Sequence, residues 1–256
     1  MKLLVLDKGN SVIKVGSGKK EINLLLEHAY EMGDTIVLEI EETGYYWIQL
    51  DEALGRVLVY LKDIFKFPVP FGEKHVSYSP KSFYGSRHYI NIKKASEYEI
   101  DTYRNLAFNP YDHHGNGSLY PHAFANVETR GEAVFAARNA IDGITLNRSH
   151  GEWPYASWGI NMQDDAAITI DFGREVVTDR IILYTRADFP HDNWWKEVSF
   201  TFSDGSQMKM KMEKSYDPHE LTFEKKKISW LRMHDLIKAD DPSPFPALTQ
   251  IEIYGI

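Results

Sequence analysis

Hydrophobic and polar residues alternate along much of the first 110 residues. The alternation runs over residues 36–41, breaks at the turn residues Thr43-Gly44 and resumes over residues 46–50. A period of two, with turns roughly every 8 to 12 residues, is typical of β-sandwiches and barrels. Further strands are predicted from the same pattern at residues 3–6, 11–15, 57–61, 88–92 and 100–108.

One segment of this half departs from the period. Ile22, Leu25, Leu26 and Ala29 are spaced as on one face of a helix, and Gly33 follows where a helix would end. We therefore predict a β-sandwich domain over residues 1–110 that contains one helix at residues 20–32. Its residues indicate no particular function.

Alternation returns in the second half of the chain. The predicted strands are residues 168–172, 181–185, 198–202, 208–212, 228–233 and 250–254. Asp204-Gly205 lies between two of them, and Asp-Gly between alternating runs is a strong signal for a β-hairpin. Met208, Met210 and Met212 are then predicted to belong to the core. The number of strands suits a jelly roll, so we predict an all-β chain of two sandwich domains with one or two short helices.

Residues 109–118 separate the two halves with Asn, Pro, Asp, His and Gly in turn-forming combinations. We predict a linker over residues 111–130 and a second domain over residues 131–256. Asp112, His113 and His114 could bind a metal ion. Adjacent residues seldom point at one ion, so a solvated linker is the preferred interpretation.

Composition and charge exclude several classes of function. The 256 residues are 43% hydrophobic, 26% charged and 13% aromatic, as in a soluble globular protein that favours β structure. A net charge of -8 opposes binding to nucleic acids and anionic membranes. The chain has no cysteine, so disulfides and thiolate metal sites are excluded. Only four apolar residues precede Asp7, too few for a secretory signal, and we expect a cytoplasmic protein.

Two loops in the second half concentrate aromatic and polar side chains. The first holds His150, Glu152, Trp153, Tyr155 and Trp158. The second holds Arg186, Asp188, His191, Asp192, Asn193, Trp194 and Trp195. Loops often bind ligands because a rigid scaffold holds them while they stay accessible. Alternatively, Trp194 and Trp195 cover the end of the core and Arg186 pairs with Asp188. One of the two adjacent tryptophans should face the core in either case.

Four motifs of residues 126–256 occur in a recognisable order. They are Asn139-Ala-Ile-Asp-Gly143, Ala156-Ser-Trp158, Ile168-Thr-Ile-Asp-Phe-Gly173 and Ile251-Glu-Ile-Tyr-Gly255. With them, this region resembles the galactose-binding-like β-sandwich superfamily, which includes discoidin (coagulation factor type C) domains and many bacterial carbohydrate-binding modules. The first half of the chain is not covered.

The resemblance implies a non-catalytic carbohydrate-binding protein. Sugar would bind in loops at one end of the sandwich, where an aromatic ring stacks on the apolar face of a pyranose and polar side chains bind its hydroxyls. We expect the two Trp-bearing loops to form this site, with Trp153, Arg186, Asp188 and His191 as the main contacts. The proline-rich residues 238–248 are expected to form part of the same rim.

The resemblance also implies a structural calcium ion, because calcium takes six to eight oxygen ligands from flexible loops. The implied ligands are the carboxylates of Asp142 and Glu252, the carbonyls of Asn139, Ile144 and Ile251, and the amide oxygen of Asn147. In the alternative without metal, Asp142 forms an Asx-type turn and Glu252 an ion pair at a strand edge.

Two other functions remain open from the sequence. One is an intracellular carbohydrate-active enzyme, a glycoside hydrolase or lyase with its site between the domains. Glu152, Asp188 and Asp192 could supply paired carboxyl groups roughly 5 to 9.5 Å apart, or His150 and His191 a general acid and base. No metalloprotease, nucleophile-elbow, phosphate-loop or dinucleotide motif occurs. The other is a structural or assembly protein whose aromatic loops form an interface with another subunit. The partner could be a second copy of the same chain, which would make the protein a homo-oligomer.

Overall fold

A computed structural model of the chain describes residues 1–148, 153–187 and 193–256. The fold is all-β, as the alternating pattern predicts, with one short α-helix, α1 (Glu97–Ile100). Turns of 3-10 helix lie at Gly72–Ser77, Thr129–Gly131, Ala133–Phe135 and Ala137–Ile141. Within the described ranges, no helix is long and apolar enough to cross a membrane.

Two antiparallel sheets build the first half. The first contains β1 (Lys2–Leu6), β2 (Val12–Ser17), β4 (Thr35–Glu39) and β7 (Phe65–Pro68), in the order β2-β1-β4-β7. The second contains β3 (Glu21–Leu26), β5 (Gly44–Gln49), β6 (Val57–Leu61), β8 (His88–Lys94) and β10 (Leu119–Tyr120), in the order β10-β6-β5-β8-β3. Buried apolar residues such as Leu3, Ile36, Ile48, Phe67 and Ile90 form their common core.

The helix predicted at residues 20–32 is wrong. Residues Glu21–Leu26 form β3, which pairs with β8 from Glu21 opposite Lys93 to Leu26 opposite His88. Ile22, Leu24 and Leu26 are buried, whereas Leu25 is 48% exposed. The segment forms a strand because β8 offers an edge with which its backbone can hydrogen-bond. A helix would need Leu25 to pack against the core, but Leu25 is exposed.

A third sheet builds the second half. Its main path is β12 (Trp158–Gly159), β17 (Ala247–Gly255), β13 (Ile168–Thr185), β16 (His219–Lys238), β14 (Trp195–Phe202) and β15 (Gln207–Lys211). Two short strands join its sides: β9 (Arg104–Asn105) pairs with β17, and β11 (His122–Ala125) pairs with β13.

The long strand β13 changes partners along its length. Its first part, Ile168 to Asp171, pairs with β11, and its second part, Thr178 to Thr185, pairs with β17. Between them Gly173 has a φ of 67°, and its N–H donates to Oδ1 of Asp171 at 2.7 Å. The pairing with β16 shifts register between Asp171 and Val176, so the strand is irregular here, and it pairs with β16 on both sides of the irregularity.

The predicted hairpin at Asp204-Gly205 is confirmed. β14 pairs with β15, the N–H of Phe202 donates to the carbonyl of Ser206 at 3.0 Å, and Gly205 has a φ of 82°. Met210 and Met212 are buried in the core of the second half, and Met208 packs against it. The methionines are therefore core residues, as the alternation predicts.

The segment 111–130 is built into both halves rather than solvated. β10 pairs with β6, β11 pairs with β13, and Tyr111 and Asp112 are fully buried. The solvated character predicted for this segment is therefore incorrect, because turn-forming residues here make internal hydrogen bonds. The limits of the two domains stay a prediction.

Asp112, His113 and His114 do not converge on one point. Asp112 accepts hydrogen bonds from Asn116, the ring of His122 and the N–H of Ala123. His113 bonds to the carbonyl of Lys66, and His114 pairs with Glu128. Each of the three side chains thus has its own structural partners.

Residues 100–108, predicted as a strand of the first half, form only the short strand Arg104–Asn105, which pairs with the sheet of the second half. Ile100 ends α1, and Arg104–Asn105 form β9 on the sheet of the second half. Leu106 and Ala107 are buried in the core of that half. The chain therefore enters the second core well before residue 110.

Candidate ligand-binding site

A pocket of about 220 Å³ opens beside Arg186 in the second half. The C-terminal end of β13 and the N-terminal end of β17 meet here, since the two strands are antiparallel. We call it the Arg186 pocket, and its lining includes Arg130, Phe135, Asn161, Met162, Arg186 and Phe245. Apolar rings and hydrogen-bond donors therefore face one small space.

The apolar part of the pocket is partly open to solvent. Phe245 is 46% exposed and Met162 is 53% exposed, whereas Phe135 is buried beneath them. Phe245 lies next to Pro246, which lines the pocket too. The proline-rich segment predicted to join the rim thus contributes a ring to the same pocket as Arg186.

The turn at Asn161 and Met162 has an unusual backbone. Their φ angles are 50° and 60°, and the N–H of Gln163 donates to the carbonyl of Ile160 at 2.9 Å. Two successive non-glycine residues in the left-handed region cost roughly 1–2 kcal/mol each. The N–H of Asn161 is held by Oγ1 of Thr129 at 2.9 Å. Residues in this backbone region are enriched at ligand-binding and catalytic sites, although two in succession also form an ordinary type I′ turn.

Arg186, predicted as a ligand contact, connects three segments around the pocket. Its Nη1 donates to the carbonyl of Tyr155 and to Oγ of Ser157, both at 3.3 Å. Its backbone N–H donates to the carbonyl of Ala247 at 3.4 Å. The described ends of the two predicted loops therefore meet at this side chain, which is almost fully buried.

Arg130 places a second guanidinium at the pocket. It forms a two-pronged ion pair with Glu132, with N···O distances of 2.5 and 2.8 Å. The same guanidinium lies 5.5 Å from the centre of the Phe135 ring. The side chain of Arg130 is 60% exposed.

Two of the predicted ligand-binding tryptophans are core residues. Trp158 and Trp195 are fully buried, and Nε1 of Trp158 donates to the carbonyl of Val127 at 2.9 Å. Both begin a strand and face the core of the second half. A ligand in the loops cannot reach either ring. The two tryptophans pack in the core instead of contacting a sugar. Trp194, half-buried, faces the other way, as strand alternation predicts.

The remaining described loop residues lie close by without lining the pocket. Trp153 and Tyr155 are half-buried, and the N–H of Trp153 donates to the carbonyl of Val76 in the first half at 3.1 Å. Asn193 is buried, and its amide donates to the carbonyl of Ala239 at 3.1 Å. The other predicted contacts, His150, Glu152, Asp188, His191 and Asp192, lie outside the described residues.

Asp142 forms the Asx-type turn that we expect for this loop when no calcium ion is bound. Its Oδ1 accepts from the N–H of Ile144 at 2.9 Å, which is an Asx-type turn. Burial raises the pKa of Asp142 to about 6, although Arg138 nearby lowers it. Burial also raises the pKa of Glu252, which accepts from the hydroxyl of Tyr254 at 3.2 Å.

Two of the other implied calcium ligands are hydrogen-bonded through atoms that would not bind the ion. The side-chain oxygen of Asn139, rather than its main-chain carbonyl, accepts from Arg138, and the amide nitrogen of Asn147, rather than its oxygen, donates to the carbonyls of Thr185 and Tyr216. The buried amide of Gln250 accepts from the N–H of Gly143 at 3.2 Å and donates to the carbonyl of Ile251 at 3.4 Å. The loop is thus already tied to β17, and the ligand set fits calcium only in part.

A second cavity of about 450 Å³ lies where the two halves meet. It is lined by Trp47 and Arg56 from the first half and by Glu252 and Gly143 from the second. The guanidinium of Arg56 lies 5.0 Å from the centre of the Trp47 ring. Glu252 is the one carboxyl group among the described residues that line it.

The first half contains a group of residues that could hold a metal ion. Asp51, Glu52 and His88 each place one ligand atom within 4.8 Å of the others. None of these residues is among the calcium ligands implied by the resemblance, which all come from the second half.

Sequence reasoning missed most of the pocket. Arg130 and Phe135 precede the two Trp-bearing loops, and Asn161 and Met162 follow the first of them with no motif of their own. Phe245 was indicated only by the stiffness of the segment around it. The aromatic residues indicate the two loops as candidate binding loops, but Trp158 and Trp195 pack inside the core.

Comparisons with known proteins give partial structural matches. No protein-family model matches the chain, and no curated protein matches it by sequence. A chitosan-binding module of a Paenibacillus chitosanase/glucanase matches with a TM-score of 0.41 at 20% identity, over 59% of this chain and 98% of that module.

Two further solved structures match in a similar way. The family 32 carbohydrate-binding module of Clostridium perfringens NanJ, in complex with galactose, has a TM-score of 0.40 at 16% identity, over 52% of this chain and 91% of that one. The lectin domain of Lectinolysin, in complex with Lewis B antigen, has a TM-score of 0.42 at 17% identity, over 59% and 96%. At this level of similarity the match by itself assigns neither a family nor a ligand.

Proposed function

We propose that the chain is a carbohydrate-binding protein and that the Arg186 pocket holds the sugar. The observation that carries the proposal is the pairing, in one pocket, of partly exposed Phe245 with the guanidinium of Arg186 and the strained turn at Asn161. A pyranose has CH-rich faces and a rim of hydroxyls, so it needs an apolar surface and directed hydrogen-bond donors together.

The size of the pocket narrows the ligand. Its volume of about 220 Å³ lies below the range of about 300–1,000 Å³ that is usual for drug-sized ligands. One sugar ring suits this space better than several. The protein would then recognise a terminal sugar residue, with the rest of an oligosaccharide extending past Phe245 and Met162 into solvent.

The experiment is a calorimetric titration of the full chain with a panel of neutral monosaccharides. Phe245→Ala removes the exposed ring and should weaken binding of the preferred sugar by roughly tenfold, or about 1.4 kcal/mol. The matched control is Phe124→Ala, since Phe124 on β11 is 48% exposed and lies outside the pocket lining.

The control decides between pocket and surface effects. Phe124→Ala should bind as the unmodified protein does, and both variants should melt at similar temperatures because both rings are half exposed. Equal binding by Phe245→Ala and the unmodified chain would overturn the assignment of this pocket. An unmodified chain that binds none of the sugars, but elutes as a stable oligomer, would favour the assembly function instead.

A calcium ion at Asp142 is the second part of the proposal. The half-buried carboxyl of Asp142 becomes charged only at a cost, which a bound cation would offset. Calcium should therefore raise the melting temperature of the unmodified protein at pH 7 and leave Asp142→Asn unchanged. An equal response of the two proteins, or no response of either, would contradict a calcium ion at this loop.

A binding function fits the described residues better than hydrolysis. Glycoside hydrolysis needs two carboxyl groups roughly 5 to 9.5 Å apart. The described lining of the Arg186 pocket contains no carboxyl group, and that of the cavity between the halves contains one, Glu252. The enzyme alternative based on Glu152, Asp188 and Asp192 stays a prediction, because these residues lie outside the described part of the chain.

A further inference from the structure

Two strands of the first half bring chemically reactive side chains to one end of a sheet. β5 continues into Asp51 and Glu52, and its register with β8 places Gln49 opposite Asn91. If this register is continued by three residues, Glu52 lies opposite His88, the first residue of β8. The N–H of Tyr89 donates to Oε1 of Glu52 at 2.5 Å, which holds this arrangement.

The three side chains form a partly enclosed cluster. One carboxylate oxygen from Asp51, one from Glu52 and one ring nitrogen from His88 lie within 4.8 Å of one another. Asp51 and His88 are each 2% exposed, whereas Glu52 is exposed. The cluster is therefore closed towards the core and open to solvent on the side of Glu52.

Two polar groups beside the cluster have no partner within the described chain. Nε2 of His88 is buried and makes no hydrogen bond there, and the same holds for the hydroxyl of Tyr30. The ring of Tyr30 lies 4.5 Å from that of His88, centre to centre. Buried polar atoms in folded proteins are nearly always paired, so two unpaired ones at a carboxylate cluster point to a ligand.

Asp51 keeps room for a further ligand. Its Oδ1 accepts from the N–H of Ala53 at 2.8 Å and its Oδ2 from the N–H of Phe83 at 2.6 Å. Each carboxylate oxygen has a second lone pair that these bonds leave available. The two backbone donors fix the orientation of the carboxylate, as partners of metal ligands usually do. Burial raises the pKa of Asp51, a cost that a neighbouring cation would reduce.

We propose that Asp51, Glu52 and His88 bind a divalent first-row transition-metal ion next to the hydroxyl of Tyr30. Zinc and manganese accept imidazole together with carboxylates, whereas calcium and magnesium take oxygen ligands. Tetrahedral zinc with bonds of about 2.0–2.2 Å places its ligand atoms roughly 3.3–3.6 Å apart, so the cluster must contract by up to about 1.5 Å. Exposed Glu52 can make that movement, and the ion joins the ends of β5 and β8.

The test is a calorimetric titration of the chelator-treated full chain with zinc chloride and, separately, manganese chloride. The unmodified protein should bind one equivalent and melt at a higher temperature with metal. Glu52→Gln keeps the size of an exposed side chain and should weaken binding by roughly tenfold or more. His88→Gln should abolish it.

Two control variants separate this site from surface binding. Glu97→Gln changes an exposed carboxylate on α1, and His114→Gln changes an exposed imidazole that pairs with Glu128. Both should retain the single equivalent. Absence of stoichiometric binding by the unmodified protein, equal affinity in Glu52→Gln, or preference for calcium would each overturn the proposal. If His88→Gln does not fold, Glu52→Gln alone decides.

Discussion

Arg186 and the two buried tryptophans Trp158 and Trp195 come from the same predicted loops but occupy different positions in the second half. Arg186 was identified from its place in a loop rich in polar and aromatic residues, and it lines the pocket. Trp158 and Trp195 were assigned to the ligand from the same reasoning, but they fill the core. A tryptophan offers a large apolar area to either environment, so residue type alone cannot distinguish a ligand platform from a core residue.

Asp142 makes a residue-scale prediction about pH. Its folded-state pKa of about 6 lies above the ordinary value of 3.8, so the folded state binds more protons and stability falls as pH rises from about 4 to 6. In chelator, the unmodified protein should lose up to about 3 kcal/mol of unfolding free energy over this window relative to Asp142→Asn. Urea melts at pH 4 and pH 7 measure the difference. An identical pH profile for the two proteins would contradict the half-buried carboxyl with a raised pKa.

At the scale of elements, alternation was a reliable guide and helical spacing was not. The hairpin at Asp204-Gly205 and most strands follow directly from a period of two. The segment containing Leu25 satisfied both patterns over six residues, and the free edge of β8 decided between them. A bond to a strand more than 60 residues away is not visible in local sequence.

β3 supplies a prediction that separates strand from helix. In the strand, Leu24 faces the core and Leu25 faces solvent. Leu24→Ala should cost about 2–5 kcal/mol of unfolding free energy, and Leu25→Ala less than about 1 kcal/mol. Chemical denaturation of the two variants gives the comparison. A larger cost at Leu25 would favour the helix predicted from the spacing.

For the whole molecule, two cores and their composition could be predicted, but not the path of the chain between them. Tyr111 and Leu119 belong to the first core, whereas Leu106, Ala107 and Ala123 belong to the second. The chain thus crosses from one core to the other more than once. The turn-forming residues at 109–118 indicate that the chain reverses direction there. Their sequence does not show the hydrogen bonds that they make to distant segments, so it is also typical of a linker.

This crossing predicts how fragments should behave. A fragment of residues 131–256 lacks β9, β11 and the apolar side chains of Leu106 and Ala107, so two strand edges and part of the core lose their cover. It should melt at a lower temperature and less cooperatively than a fragment of residues 102–256. Differential scanning calorimetry tests this. Equal, sharp transitions for both fragments would support the domain limit at residue 131.

Amide chemical-shift mapping of the isotope-labelled full chain with its preferred monosaccharide would locate the proposed sugar site residue by residue. If the sugar binds in the Arg186 pocket, the largest shifts should fall on Asn161, Met162, Arg186 and Ala247. Shifts confined to residues around Trp47, or no shifts with any sugar of the panel, would contradict binding there.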